Sequence, residues 1–155
     1  MTRLLGIDLG ERRIGLAIAD DDGSPARAHS TLRRASNPDR DAAAHEALID
    51  TKEIDELVVG LPLEASGVEG SQAAITRAWA AAMAERLATP IRLRDERLTS
   101  HLAESRLGPM KRGRSGGPPS RTQRDAYRAR VDREAAAIIL QDELDARVTR
   151  AEDRG

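Results

Sequence analysis

The chain has 155 residues, a formal net charge of −1 and no cysteine. That is one domain's worth of sequence, and it excludes a disulfide scaffold, a zinc–thiolate centre and a thiol nucleophile. With Trp79 and Tyr127 as its only large aromatics, it has no multi-aromatic platform for stacking bases. Residues 4–9 read as a short apolar strand interrupted by Asp8, and residues 14–19 as a second strand joined to it through a turn at 10–13. The run Asp20-Asp21-Asp22-Gly23 reads as a solvated turn rather than a metal loop. A weaker strand follows at 28–32 and a helix at 38–49. Residues 57–61 form a buried-type strand stopped by Pro62. A long Ala-rich helix spans 71–87, with Trp79 as a packing anchor. A strand at 90–95 leads into a short helix at 100–107. Residues 112–122 are rich in Gly, Pro, Ser and Arg and read as a mobile loop. The last helix is expected at 148 and back to 131, with a frayed tail at 151–155. Strand-rich first and helix-rich later, the pattern predicts an α/β fold: a mixed five-stranded sheet flanked by helices, in one domain over 1–150 with a flexible basic loop at 111–124.

Three carboxylates occupy positions where propensity favours other residues. Asp8 lies inside a strand between Gly6 and Gly10, which remove side chains and let a backbone, metal or phosphate approach. Glu96 follows the strand 90–95. Alternation puts Asp95 on the face opposite Glu96, so only one of the pair points into a site. Asp132 opens the predicted last helix, where interaction with the helix dipole is the simple alternative. Ser100 or Thr99 is positioned to cap the helix at 100–107. Buried carboxylates need a partner, a proton or a cation, and three from distant segments point to a shared divalent metal. All-oxygen ligands suit Mg²⁺ or Mn²⁺. Between Arg106 and Arg130, eight basic residues face one acid, Asp125. Such a concentration suits sequence-blind phosphate binding. Lys111, Arg112, Arg114, Arg121, Arg124, Arg128 and Arg130 are the candidates there, with Arg12 and Arg13 beside Asp8. His29 and His45 read as surface residues and His101 as an exposed helix-start histidine.

Four ordered motifs carry a resemblance. They are Gly6-Ile7-Asp8-Leu9-Gly10 with Arg13-Ile14-Gly15-Leu16-Ala17; Val58-Val59-Gly60-Leu61-Pro62-Leu63 with Gly67 and Gly70; Asp95-Glu96-Arg97-Leu98-Thr99-Ser100; and Val131-Asp132 with Ala135-Ala136 and Ile139-Leu140. Together they resemble the YqgF/RuvX family over almost the whole chain. The resemblance implies a ribonuclease H-like fold and a divalent-metal-dependent nuclease with Asp8, Glu96 and Asp132 as catalytic and metal-ligating residues of a two-metal site. It also implies a nucleic-acid substrate, either the 5′ end of pre-16S ribosomal RNA or branched DNA such as a Holliday junction. No apolar stretch reaches the ~20 residues of a membrane span, and no signal-peptide pattern opens the chain. A soluble cytoplasmic protein without a membrane partner, monomer or homodimer, is expected. Two other classes remain: a nucleotide-binding module of the actin/sugar-kinase type, for which the chain is too short to supply a second lobe, and a non-catalytic nucleic-acid-binding relative.

Overall fold

The computed structural model describes residues 1–97, 99–113 and 115–155. Strands β1 (Arg3–Leu9), β2 (Arg13–Asp20) and β3 (Arg27–Arg33) form an antiparallel meander. Helix α1 (Pro38–Lys52), strand β4 (Glu56–Pro62), helix α2 (Ser71–Arg86) and strand β5 (Ile91–Glu96) follow, then α3 (Thr99–Leu107) and α4 (Arg121–Arg154). The sheet order is β3-β2-β1-β4-β5, with β4 parallel to both β1 and β5. This is the mixed five-stranded α/β sheet that the hydrophobic pattern predicts. The carboxyl ends of β1, β4 and β5 therefore lie at one end of the sheet, with Asp8 and Glu96 on them. Asn37 starts α1 by accepting from the Asp39 amide, and Glu53 ends it in the left-handed conformation.

Alternation splits the core. Leu5, Ile7, Leu57 and Val59 face one side of the sheet and pack with Trp79 and Met83 of α2 and Ile49 of α1. Leu4, Ala17, Ala19 and Val58 face the other side and pack under Ala136, Ile139 and Leu140 of α4. Helix α3 joins this second layer, with Ala103 against Tyr127, Val131 and Ala135. His45 is fully buried, contrary to its expected surface position. Its Nδ1 lies 2.7 Å from the Asp41 carbonyl and its ring meets Trp79 edge-on. Trp79 in turn donates to Asp41 at 3.0 Å, so the tryptophan anchors a small polar knot as well as the core. At the β2–β3 turn, Asp22 accepts from Ser24 and Asp21 from the Thr2 amide, as a solvated turn should.

Helix α4 departs most from expectation. It begins at Arg121, ten residues before the predicted start, and runs through Arg154 instead of fraying at 151. Its 34 residues span about 51 Å. The start is fixed by a capping box: Ser120 accepts from the Gln123 amide, and the Gln123 side chain accepts from the Ser120 amide. Residues 121–124 are thus helical rather than loop. Upstream, Gly113 and Gly117 close a hydrogen-bonded turn. Among the described residues no helix is long and apolar enough to cross a membrane.

Two glycines let α4 settle onto the sheet. A Cβ at Gly6 would come within 2.8 Å of the Ala136 carbonyl oxygen, and one at Gly15 would overlap the Asp132 carbonyl. Gly15 is the cross-strand partner of Asp8, so the closest approach of helix to sheet falls beside the candidate site. Gly15→Ala is expected to lower stability by about 1–3 kcal/mol or more, since backbone must move to admit the methyl. Gly117→Ala, whose new Cβ meets only the Ser115 hydroxyl at 4.0 Å, should stay within about 0.5 kcal/mol of the parent. Urea unfolding of the two variants checks the contrast.

Candidate active site

Asp8, Gly60, Pro62, Leu63, Glu96, Thr99, Ser100 and Ile139 line one cavity of about 230 Å³. Pairing of β1 with β4 and β4 with β5 places Asp8 and Glu96 on the same face, separated by the β4 strand end, where Pro62 sits beside Glu96. Gly60 on this face leaves room for Ile139 of α4. Asp95 is exposed on the opposite face, where its charge acts on Arg77 of α2. The geometry therefore selects Glu96 over Asp95 as the acid that meets Asp8. Arg97 does not pair with Asp95; its guanidinium lies over Gly67.

Both cavity carboxyls hold protons unusually well. Burial, followed by the nearby charge of Asp132, pushes Asp8 up to about 7. Burial, followed by the charge of Asp142, pushes Glu96 up to about 7 as well. Thr99 donates to Glu96 Oε2 at 3.2 Å, so the hydroxyl at the start of α3 orients the acid. The other oxygen, Oε1, lies 3.3 Å from Arg94 Nε, yet neither atom has an aligned hydrogen-bond partner. Arg94 reaches past it to Glu143, 3.4 Å away. Glu143 is buried, and burial raises its pKa, but hydrogen bonds from Arg147 and Arg150 outweigh that and hold it below the ordinary value. Arg147 also donates to Glu56 at 2.6 Å. A chain of ion pairs thus ties α4 to β4 and β5 directly behind Glu96.

Asp132 sits three turns into α4 rather than in its first turn, so the helix dipole does not explain it. Its Oδ2 accepts from Arg13 Nε at 2.9 Å. Burial raises its pKa, and the Arg13 contact opposes that rise. Among the described residues, no three acidic or histidine side chains stand close enough to hold one metal ion. The structure joins Asp8 with Glu96 in one cavity and Asp8 with Asp132 electrostatically, while Arg13 holds Asp132 aside. Even so, the donor set fits a hard divalent cation. It is all oxygen, Glu96 Oε1 is buried without a hydrogen-bond donor, and two carboxyls with raised pKa values would be relieved by positive charge.

The basic candidates do not form one patch. Arg12, Arg13 and Arg121 line a common cleft. Arg112 and Arg124 donate to carbonyls of their own segment, Gly116 and Pro119. Arg128 pairs with Glu104 at 3.6 Å and Arg130 lies over the Tyr127 ring. Lys111 is exposed, and Arg114 falls outside the described residues. Sequence reasoning missed Asp142, Arg94 and Glu143. The only signal for Asp142 is helical phase: it lies one turn beyond Ile139, which lines the cavity with Asp8.

The family model described as RuvX, Holliday junction resolvase, matches residues 2–146. A protein of Anaeromyxobacter dehalogenans named "Putative pre-16S rRNA nuclease" is 45% identical over 145 residues, covering 94% of this chain and 98% of the relative. A relative of the same name from Chloroflexus aurantiacus is 39% identical, with coverage of 93% and 87%. Among solved structures, Thermus thermophilus RuvC superposes with a TM-score of 0.54 at 14% identity, covering 96% of this chain and 97% of RuvC. RuvC from the same organism in complex with a Holliday junction substrate gives 0.52 at 16% identity. These likenesses establish the RuvC-like, ribonuclease H-like fold.

The raised pKa of Asp8 has a stability consequence. Between about pH 4 and pH 7 the folded chain keeps a proton at Asp8 that the unfolded chain, near the ordinary 3.8, has lost. Stability of the metal-free protein therefore falls as pH rises through that window and stays low above it. Asp8→Asn removes the ionisation, so it should raise the melting temperature at pH 8 by about 3 °C or more and have little effect at pH 4. Thermal melts in chelator at the two pH values check this.

Proposed function

This chain belongs to the RuvX family, and we propose that it is a divalent-metal-dependent nuclease acting on structured RNA, with the 5′ end of pre-16S ribosomal RNA as its substrate. The observation that carries the reading is the convergence of Asp8 and Glu96 in one cavity at the carboxyl ends of β1 and β5. Asp132 is carried close by the contact of α4 with Gly15. A binding module has no use for carboxylates that repel phosphate and hold their protons to about pH 7. The names of the relatives support the RNA substrate. A second reading, resolution of branched DNA, is favoured by the printed description of the family. A cytoplasmic location follows from either substrate.

Asp8 and Glu96 would hold the cation, Mg²⁺ or Mn²⁺, with Asp132 as the further ligand once its pairing with Arg13 loosens. When bound, such a cation polarises a phosphodiester and lowers the pKa of water. The chain's own residues do the rest. Thr99 orients Glu96 by its hydroxyl. Arg94, paired with Glu143, sets a positive charge 3.3 Å from Glu96 Oε1. Ile139 and Leu63 wall the cavity with apolar atoms that restrict water. Arg13 stands between Asp132 and the arginine-lined cleft, where its guanidinium is placed to meet a phosphate oxygen.

Cleavage of a structured pre-16S RNA fragment, an RNA–DNA hybrid and a four-way DNA junction is to be compared with Mg²⁺, Mn²⁺ and chelator. Metal-dependent cleavage of the RNA is expected, and Asp8→Asn should lose all measurable cleavage while keeping its fold. Cleavage confined to the junction would replace the RNA substrate with branched DNA. Full activity in Asp8→Asn would remove Asp8 from the chemistry.

A further inference from the structure

On the β3 side of the acidic cavity lies an open cleft of about 910 Å³. Its walls are the β1–β2 turn, the end of β3 and the first turns of α4. Five arginines line it: Arg12 and Arg13 from the turn, Arg33 and Arg34 from β3 and the residue after it, and Arg121 from the start of α4. Two acids, Glu11 and Asp125, are also present, which leaves a clear positive excess. Arg12, Arg33 and Arg121 are exposed and make no ion pair among the described residues. Arg33 and Arg34 belong to no motif that the sequence singles out.

The cleft is built, not merely charged. The Arg34 side chain donates to the Gly10 carbonyl at 3.0 Å, and its amide donates to the Arg12 carbonyl at 2.9 Å. These bonds pin the turn to the end of β3. Thr31 donates to the Ala129 carbonyl at 2.7 Å and fixes β3 to α4. No aromatic side chain lines the cleft, so it offers nothing on which a base could stack. It is open, and Arg13 joins it to Asp132.

We infer that this cleft binds the phosphodiester backbone of the nucleic acid on one side of the cleaved bond, through Arg12, Arg33, Arg34 and Arg121. The inference rests on the nuclease reading above for its continuity with the acidic cavity, but not for its charge or shape. Backbone-only contact makes the grip independent of sequence and strongly dependent on salt. Arg13 couples the two regions. A phosphate at the inner end of the cleft competes with Asp132 for its guanidinium, so an incoming strand frees the acid.

The test measures binding apart from cleavage. A fluorescein-labelled RNA stem-loop and a labelled four-way DNA junction are titrated with the full chain in chelator, across a salt series, by fluorescence anisotropy. Arg12→Glu/Arg33→Glu is expected to bind the preferred nucleic acid at least tenfold more weakly, with a salt slope shallower by about 1.5. Lys52→Glu/Arg154→Glu, with the same charge change at the other end of the sheet, should bind within about twofold of wild type. Arg33→Ala alone, which removes one charge and no packing, is expected to lose about threefold. Circular dichroism identifies any variant that unfolds. Unchanged affinity and slope in folded Arg12→Glu/Arg33→Glu or Arg33→Ala would overturn the cleft assignment. Equal losses in the Lys52→Glu/Arg154→Glu control would do the same. If wild type binds through the cleft yet cleaves neither nucleic acid with Mg²⁺ or Mn²⁺, the nuclease reading fails and the cleft assignment stands.

Discussion

The whole arrangement depends on how closely one helix can lie on one sheet. Where α4 crosses β1 and β2, Gly6 and Gly15 leave no side chain between helix backbone and strand. The approach is closest at Gly15, directly across from Asp8, and the helix residue resting there is Asp132. Any larger residue at Gly15 would lift the helix at the point where two carboxylates must face each other. Ala136, Ile139 and Leu140 then fill the sheet surface beyond, and the helix continues to Asp142 and Glu143 above β5. One packing contact thus sets the positions of the α4 acids relative to Asp8.

That placement comes at an electrostatic cost, and the fold contains it locally. Asp8 and Glu96 sit where burial and a second acid both oppose ionisation. The compensating cations are arranged around the site rather than in it. Arg13 takes Asp132, and Arg94 approaches Glu96 without an aligned hydrogen bond. The strong pairs are farther back, among Glu143, Arg147, Arg150 and Glu56. A fold optimised for stability alone would satisfy its buried acids more completely. The residual demand for positive charge inside the cavity is what a divalent cation would meet.

Much of this was readable in the sequence, for identifiable reasons. Four strands carry an apolar run or a clean alternation, and the weakly patterned β3 follows a Gly- and Pro-containing turn, so all five stand within a residue or two of expectation. Asp8 and Glu96 were visible as acids in strand context, and period-two alternation already separated Asp95 from Glu96. The first ten residues of α4 were not, because their charged composition hides a helix that has no apolar stripe until Tyr127. The signal that marks it is the Ser120–Gln123 capping pair, three residues apart, after a Gly- and Pro-rich stretch. His45 looked like a surface residue because its partners, Asp41 and Trp79, come from two different helices. The arginine cleft was legible only in part. Arg33 ends an exposed, weakly patterned strand and Arg34 follows it, and only the fold brings them beside Arg12 and Arg121. The excess of basic residues between 106 and 130 pointed to a single mobile patch, whereas the helix distributes those side chains around its circumference.

The central claim is that Asp8 and Glu96 form one cation-binding unit. Calorimetric titration of Mn²⁺ into the protein near pH 6.5, repeated in buffers of different ionisation enthalpy, tests it most directly. Carboxyls that hold protons to about pH 7 must give them up to a metal. The account predicts Mn²⁺ binding with net proton release, and a large loss of both in Asp8→Asn and in Glu96→Gln. Binding that releases no protons, or that survives both substitutions unchanged, would contradict it.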